Sequence, residues 1–375
     1  MSQRNEPSLR YRVTPEEASR QGFVLGLKRF ANGDMEKGLA DLFELRLKPA
    51  FEREAGRAPQ TRDEAKQMFA DEPLYKFWES LTYNSQDLLW SSCADTVERE
   101  NMRLKPDYDV LTSRTEKLGS LSLDPALEMP APMSHTEIHR MPGGYQRDAG
   151  GSDMWAGLMY HTSVDIYLRG KGETGFKPDF QARLLAKIIR EKYPHLKPKK
   201  ILEIGCGPGT QTAYWPEAFP DAEVHAIDVG PAMLRYAHGL AEAKGVAVHY
   251  HQMNAAETKF DDGSFDLIVS IATFHETSSD NLPAVMREAK RLLAPGGVFI
   301  NLDVPYQTPT LPLVKQVTND WQVLYNGEPF WTGFGDTDAA AALKGAGFPA
   351  ETVFAYHDRT TALPWYVFGG QKQAA

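Results

Sequence analysis

With 375 residues, 42% of them hydrophobic and 24% charged, the chain can bury an ample core and has the length of two structural units. A formal net charge of −9 offers no global attraction to phosphate backbones, so nucleic acid is not an expected partner. A mean hydropathy of −0.43, with no apolar run approaching the roughly 18 residues of a spanning helix, argues against a membrane protein. Only Cys93 and Cys206 are present, too few for a disulfide framework or a thiolate cluster. The polar start at Met1 lacks an apolar leader, which makes the cytoplasm the expected compartment.

In chain order, Thr14, Pro15 and Glu17 make a helix-start pattern, predicting a helix to about Ala31. Further helices are expected over residues 35–54, 61–69 and 74–103. The last carries Tyr75, Trp78, Leu81, Leu88 and Leu89 at near-helical spacing, an apolar face that serves either as core or as pocket lining. Residues 1–125 are thus expected to form a mainly helical N-terminal domain.

Residues 126–179 are rich in Pro and Gly at their start and read as a connector and candidate active-site lid. His135 and His139 invite a zinc reading. Their glutamate is not next to the first histidine, however, and Pro132 and Pro142 disfavour a helix presenting both rings. They are expected at the pocket edge or in solvent, and no metal is expected. Tyr160 and His161 follow as candidate acceptor contacts, with Tyr167 beside them in a candidate element that closes over the site.

From Ile201 to Ile204 a β-branched run reads as a buried strand that breaks into Gly205, Cys206, Gly207, Pro208 and Gly209. Such a loop presses its main chain against a nucleotide-like ligand. A dinucleotide fingerprint requires a glycine where Thr210 stands, and Glu203 would repel a pyrophosphate. An acid there suits a ligand carrying an ammonium and a sulfonium, which favours S-adenosylmethionine. A second strand ends at Asp228, placed to accept from two ribose hydroxyls. Further strands are expected over 246–252, 265–270 and 298–301, the last after a Pro-Gly-Gly turn, with helices between them and hence parallel pairing. Residues 353–357 and 365–368 read as a closing antiparallel pair.

These motifs, in this order, resemble a class I S-adenosylmethionine-dependent methyltransferase over residues 180–375. The resemblance implies an α/β fold with a Rossmann-like seven-stranded sheet. It implies that Glu203, Gly205, Cys206, Gly207 and Gly209 approach the amino-acid end of the cofactor and that Asp228 holds the ribose. Met233, Asn254, Ala255 and Ile271 would surround the adenine and neighbouring parts. Many relatives carry Asp where this chain has Asn254. The Pro-Pro-aromatic motif of base and amide N-methyltransferases is missing from residues 270–274, which points away from those acceptors.

Methyl transfer asks the protein mainly to align the acceptor and exclude water. An acceptor that loses a proton also gains from a general base. His275, directly after the fourth strand, faces the ligand crevice of an open α/β sheet and is the expected base, with Glu276 as the alternative. Tyr306, Trp321 and Trp331, in an insertion after the fifth strand, are expected as an acceptor wall or as core. The leading expectation is a methyltransferase acting on a small molecule, with oxygen ahead of nitrogen, sulfur and carbon. A noncatalytic cofactor-binding subunit and a dinucleotide oxidoreductase are the alternatives.

Overall fold

The computed structural model describes residues 7–172, 177–361 and 364–374; the polar start at residues 1–6 lies outside them. Helix α1 (Pro15–Arg29) opens on a reciprocal cap. The Thr14 hydroxyl accepts from the Glu17 amide at 3.2 Å, and the Glu17 carboxylate accepts from the Thr14 amide at 2.8 Å. The chain runs on through a widened turn at Phe30–Met35 into α2 (Glu36–Leu42), and through another at Phe43–Leu47 into α3 (Lys48–Ala55). The same cap chemistry, with Thr61 and Glu64, starts α4 (Arg62–Phe69). Helix α5 (Pro73–Thr112) outruns the expected end at Arg103 and passes through Pro106. Leu104, Tyr108 and Leu111 stay buried beyond it, and their packing outweighs an interior proline's cost of about 3 kcal/mol.

Strand β1 (Ser120–Ser122), α6 (Ala131–His135) and α7 (Trp155–Gly170) lead into α8 (Phe180–Lys192). Strand and helix then alternate as β2 (Lys200–Ile204), α9 (Trp215–Ala218), β3 (Glu223–Asp228), α10 (Pro231–Lys244) and β4 (His249–Gln252). Next come β5 (Phe265–Ile271), α11 (Leu282–Leu292), β6 (Leu293–Asp303), α12 (Leu313–Tyr325), α13 (Trp331–Gly335) and α14 (Ala339–Gly345). The antiparallel β7 (Phe354–Asp358) and β8 (Trp365–Gln371) close the chain's sheet.

The strand order is β1-β4-β3-β2-β5-β6-β8-β7, parallel throughout except for β7 and β8. The expected seven-stranded α/β sheet is therefore present, widened to eight by β1, whose residues 120–122 pair with 249–251. Alternate residues bury the two faces. Ile201, Val224 and Val269 meet Leu185 and Ile189 of α8, while Leu202, Ile268 and Phe299 meet Val285, Met286 and Ala289 of α11. The chain runs outward from β2 through β3 to β4 and then crosses back to β5 on the other side of β2, so a crevice opens at the carboxyl ends of β2 and β5.

Two helices contribute much of the seat of the helical front half on this sheet domain. Helix α12 enters a cluster with Met35, Leu39, Phe69 and Trp78, and its Asp320 and Lys315 pair with Lys66 and Glu36, each at 2.6 Å. Helix α7 packs between α5 and α10, with Leu158 and Met159 against Leu89, Trp90 and Tyr236. Among the described residues no helix is long and apolar enough to cross a membrane.

Candidate functional site

The crevice holds a cavity with two ends, and the glycine loop forms the first. Gly205, Gly207 and Gly209 have φ of +68°, +50° and +73°, a region that strains any other residue. At Gly205 a Cβ would stand 2.3 Å from Thr273 Cγ2, so the loop and the β5 turn can approach only through glycine. Gly207 lines the cavity with nothing within 4 Å of where its Cβ would be, leaving bare main chain toward a ligand. Asp228 accepts from the Gly207 amide through Oδ2 and from the Gly230 amide through Oδ1, both at 2.9 Å. It braces the loop while lining the cavity, and burial raises its pKa against those two amides.

Glu203 also lines the cavity, though only 1% of its surface is exposed, and its Oε2 accepts from Trp215 Nε1 at 3.0 Å. Burial pushes its pKa up to about 7. Cys206, Met233, Asn254, Ala255 and Ile271 complete this end. The Asn254 Oδ1 accepts from the Ala256 amide at 3.0 Å, an internal turn bond that occupies the side chain. Gly209 does not reach the cavity. Its Cα packs on Ala237 and Tyr250, so its glycine requirement is structural.

The second end centres on His275. After β5, Ala272 takes a φ of +52°, unusual for a residue with a Cβ, which swings residues 273–276 toward the cavity. Asp303, at the end of β6, fixes that turn. Its Oδ2 accepts from the amides of Thr273 at 3.1 Å and Phe274 at 2.8 Å, and its Oδ1 stands 2.6 Å from His275 Nδ1. His275 Nε2 lies 3.2 Å from Glu276 Oε1, and His139 Nε2 lies 2.7 Å from the same oxygen. The other nitrogen of His139 stands 2.6 Å from Glu328 Oε1, which also accepts from Tyr167 Oη at 2.9 Å. The result is a buried row, Glu328, His139, Glu276, His275 and Asp303, in which acids and imidazoles alternate.

Burial alone would lower the pKa of His139, but Glu328 and Glu276 outweigh it and lift it to about 9. For His275 burial is likewise overcome, by Asp303 and Glu276, and its pKa lies well above the ordinary value. Glu276 shows the reverse: burial would raise it, yet the two imidazoles hold it far below the usual carboxylate range.

His139 is held by the front half of the chain. It and Arg140 have φ of +54° and +58°, and its carbonyl accepts from Gln86 Nε2 at 2.8 Å and Trp90 Nε1 at 2.9 Å, both on α5. Arg140 reaches back to Asp87 at 2.6 Å and covers the Tyr83 ring at 3.6 Å. Trp90, Met133, Tyr145, Tyr160, Tyr167, Phe330 and Trp331 form an aromatic and apolar wall around the row.

Of the acceptor residues read from sequence, Tyr160 and Trp331 line the cavity. His161 does not: it sits one residue, about 100°, around α7 from Tyr160, where Nδ1 stands 2.8 Å from Tyr236 Oη. Tyr306 stacks behind Trp331 with ring centroids 4.7 Å apart. Trp321 turns away altogether, into the seam with the front half, 5.1 Å from the Trp78 ring. His139 is neither solvated nor at the edge but at the centre. Asp303, Glu328 and Tyr145 were missed. Only Asp303 carried a usable signal, its place at a strand's carboxyl end.

The residues of the first end fit an S-adenosyl donor: bare glycine main chain, one acid for ribose hydroxyls and one for an ammonium. Residues 201–297 match the model of a family described as a methyltransferase domain. The C-terminal half therefore carries a class I S-adenosylmethionine-dependent methyltransferase domain, which decides the cofactor against the dinucleotide alternative. Among relatives, demethylmenaquinone methyltransferase of Thermus thermophilus is 38% identical over 29% of this chain and 48% of its own length. Malonyl-[acyl-carrier protein] O-methyltransferase of Bacillus cereus is 29% identical over 32% of this chain and 42% of its own. The chain thus spans under half the length of these relatives. A SAM-dependent methyltransferase from Methanosarcina mazei is a structural neighbour at 20% identity and a TM-score of 0.39, covering 50% of this chain and 98% of its own.

Proposed function

We propose that the protein transfers a methyl group from S-adenosylmethionine to a hydroxyl oxygen of a small, largely aromatic or apolar molecule. The observation that carries this is the buried row of imidazoles and carboxylates in the same cavity as the glycine cradle, enclosed by aromatic side chains. A hydroxyl acceptor loses a proton on methylation, and the cavity supplies groups to receive it at the point where the acceptor must sit.

Glu203, Gly205, Cys206, Gly207 and Asp228 hold the donor, with Met233, Asn254, Ala255 and Ile271 at its adenine side. Bound there, the donor would supply an electrophilic methyl group to the acceptor oxygen. His275 takes the acceptor's proton in its neutral form, which Asp303 and Glu276 confine to pH above the ordinary imidazole range, and Glu276 is the alternative base. Tyr160, Tyr167 and Trp331 position the acceptor and exclude water. Residues 126–179 act as the lid, and residues 1–125 as the support that holds His139 in place. The net negative charge favours a small metabolite over nucleic acid as acceptor.

The test is to incubate the protein with methyl-labelled donor and a host metabolite extract and to identify the product. A labelled small molecule is expected, with His275→Ala lowering turnover and leaving donor affinity intact. Label on a macromolecule, or unchanged turnover in that variant, overturns the reading.

A further inference from the structure

We propose that His139, His275 and Glu276 form a binding site for one divalent first-row transition metal, set in the wall of the acceptor chamber. One nitrogen from each ring and one carboxylate oxygen lie within 4.8 Å of one another. Ligands at roughly 2.0–2.2 Å from such an ion stand roughly 3 Å apart, and the two imidazole-to-carboxylate distances, 2.7 and 3.2 Å, bracket that spacing. The three residues come from two turns, one after β5 and one clamped by α5, each held in backbone conformations that residues with a Cβ rarely adopt. Strain of this kind persists where the surroundings enforce it and collects at ligand sites.

Two features favour a cation over a simple hydrogen-bonded row. Both Nε2 atoms converge on the single oxygen Glu276 Oε1, to which Tyr145 Oη also points at 3.4 Å, while Glu276 Oε2 is buried without a hydrogen-bond partner among the described residues. Crowding all donors on one oxygen and leaving the other bare wastes a buried acceptor.

The far nitrogens supply the second feature. His139 Nδ1 stands 2.6 Å from Glu328 and His275 Nδ1 stands 2.6 Å from Asp303, and both acids are 0% exposed. A carboxylate behind each imidazole holds the Nδ1 proton, so that an ion displacing the Nε2 proton meets a forward-facing lone pair, the usual backing of a metal-bound histidine. Among the described residues the row's three carboxylates make no salt bridge to Lys or Arg, so a dication would take the place of the two imidazole protons that balance them. Two imidazoles and one carboxylate with remaining positions open to a cavity suit zinc or ferrous iron more than magnesium or calcium.

The catalytic meaning of the site rests on the methyl-transfer reading; the binding does not. With an ion in place, His275 is a ligand and an acceptor hydroxyl coordinated there is acidified, its proton leaving to solvent. The oxygen then bonds the methyl carbon as the carbon–sulfur bond breaks and sulfur keeps the electron pair.

The experiment is to strip the full-length protein with chelator and titrate it with Co2+ alone, following visible ligand-field absorption and calorimetry. One equivalent is expected to bind. His139→Ala and His275→Ala should each abolish the signal, and Glu328→Gln should weaken binding about 10- to 100-fold. Donor binding, retained in every variant, shows that each is folded. His225→Ala removes part of the chain's other histidine cluster, on β3 and β4 with His249 and His251, and should change nothing. Absence of stoichiometric binding, or binding that survives His139→Ala, overturns the site. Stoichiometric binding without methyl transfer to any extract component confirms the site while refuting the methyl-transfer reading.

Discussion

Glu203→Gln separates what the donor cradle costs the fold from what it gives the ligand. In the unfolded chain this carboxyl titrates near 4.5, whereas in the fold burial keeps it protonated up to about 7, with the like charge of Asp228 acting in the same direction. As pH rises between those values the unfolded state releases the proton first, so stability falls through that window and levels off above it. At about 1.4 kcal/mol per tenfold change in proton affinity, the loss amounts to about 3 kcal/mol. Glutamine cannot ionise, yet its side-chain oxygen still accepts from Trp215 Nε1. Urea unfolding followed by tryptophan fluorescence, without donor, should therefore show the variant equal to the parent near pH 5 and about 2–3 kcal/mol more stable near pH 8. The same variant should bind S-adenosylmethionine roughly 10-fold or more weakly near pH 8, having lost the charge that meets the ammonium. Parallel stability curves, or a variant less stable than the parent near pH 8, would refute the reasoning.

Asp228→Asn should weaken donor binding by roughly 10- to 100-fold in calorimetry, because one of its two amide contacts loses its acceptor as well as the charge. Trp321→Ala should lower stability by about 3–5 kcal/mol in chemical denaturation without altering acceptor KM, since the ring fills the seam beside Trp78 rather than the cavity. Gly205→Ala should abolish donor binding, as its Cβ at 2.3 Å from Thr273 would push the β5 turn and the loop apart. Gln86→Leu should lower kcat while leaving donor affinity unchanged in steady-state and binding assays, by releasing the carbonyl that orients His139.

Local chemistry made much of the fold legible. The Thr14 cap, the glycine loop and the alternating strand pattern each act over a few residues, and each stands where the sequence implies. What escaped depends on distance. Ser120, Leu121 and Ser122 carry no strand signal by themselves and pair only because β4 presents an edge. Helix α5 crosses Pro106 because of partners that local propensity does not encode. In the candidate site, the position of the glycine-loop end of the cavity was legible because main chain and one acid per strand end define it. The acceptor end was not, since His139, Asp303 and Glu328 lie in segments far apart in sequence, and no periodicity links them. Trp321 and His161 were misplaced for a related reason: an aromatic or imidazole reads the same from sequence whether it faces a ligand or a neighbouring helix.

The grip of Gln86 and Trp90 on the carbonyl of His139 makes the donor-binding sheet and the helical front half separable in chemistry but not in manufacture. A fragment starting near residue 180 would retain the surfaces that recognise the donor and would lose Trp90, His139, Tyr145, Tyr160 and Tyr167 from the chamber wall. Exchange of the front half between related chains would accordingly alter one wall of the chamber and leave the other, with His275, Glu276, Phe330 and Trp331, unchanged.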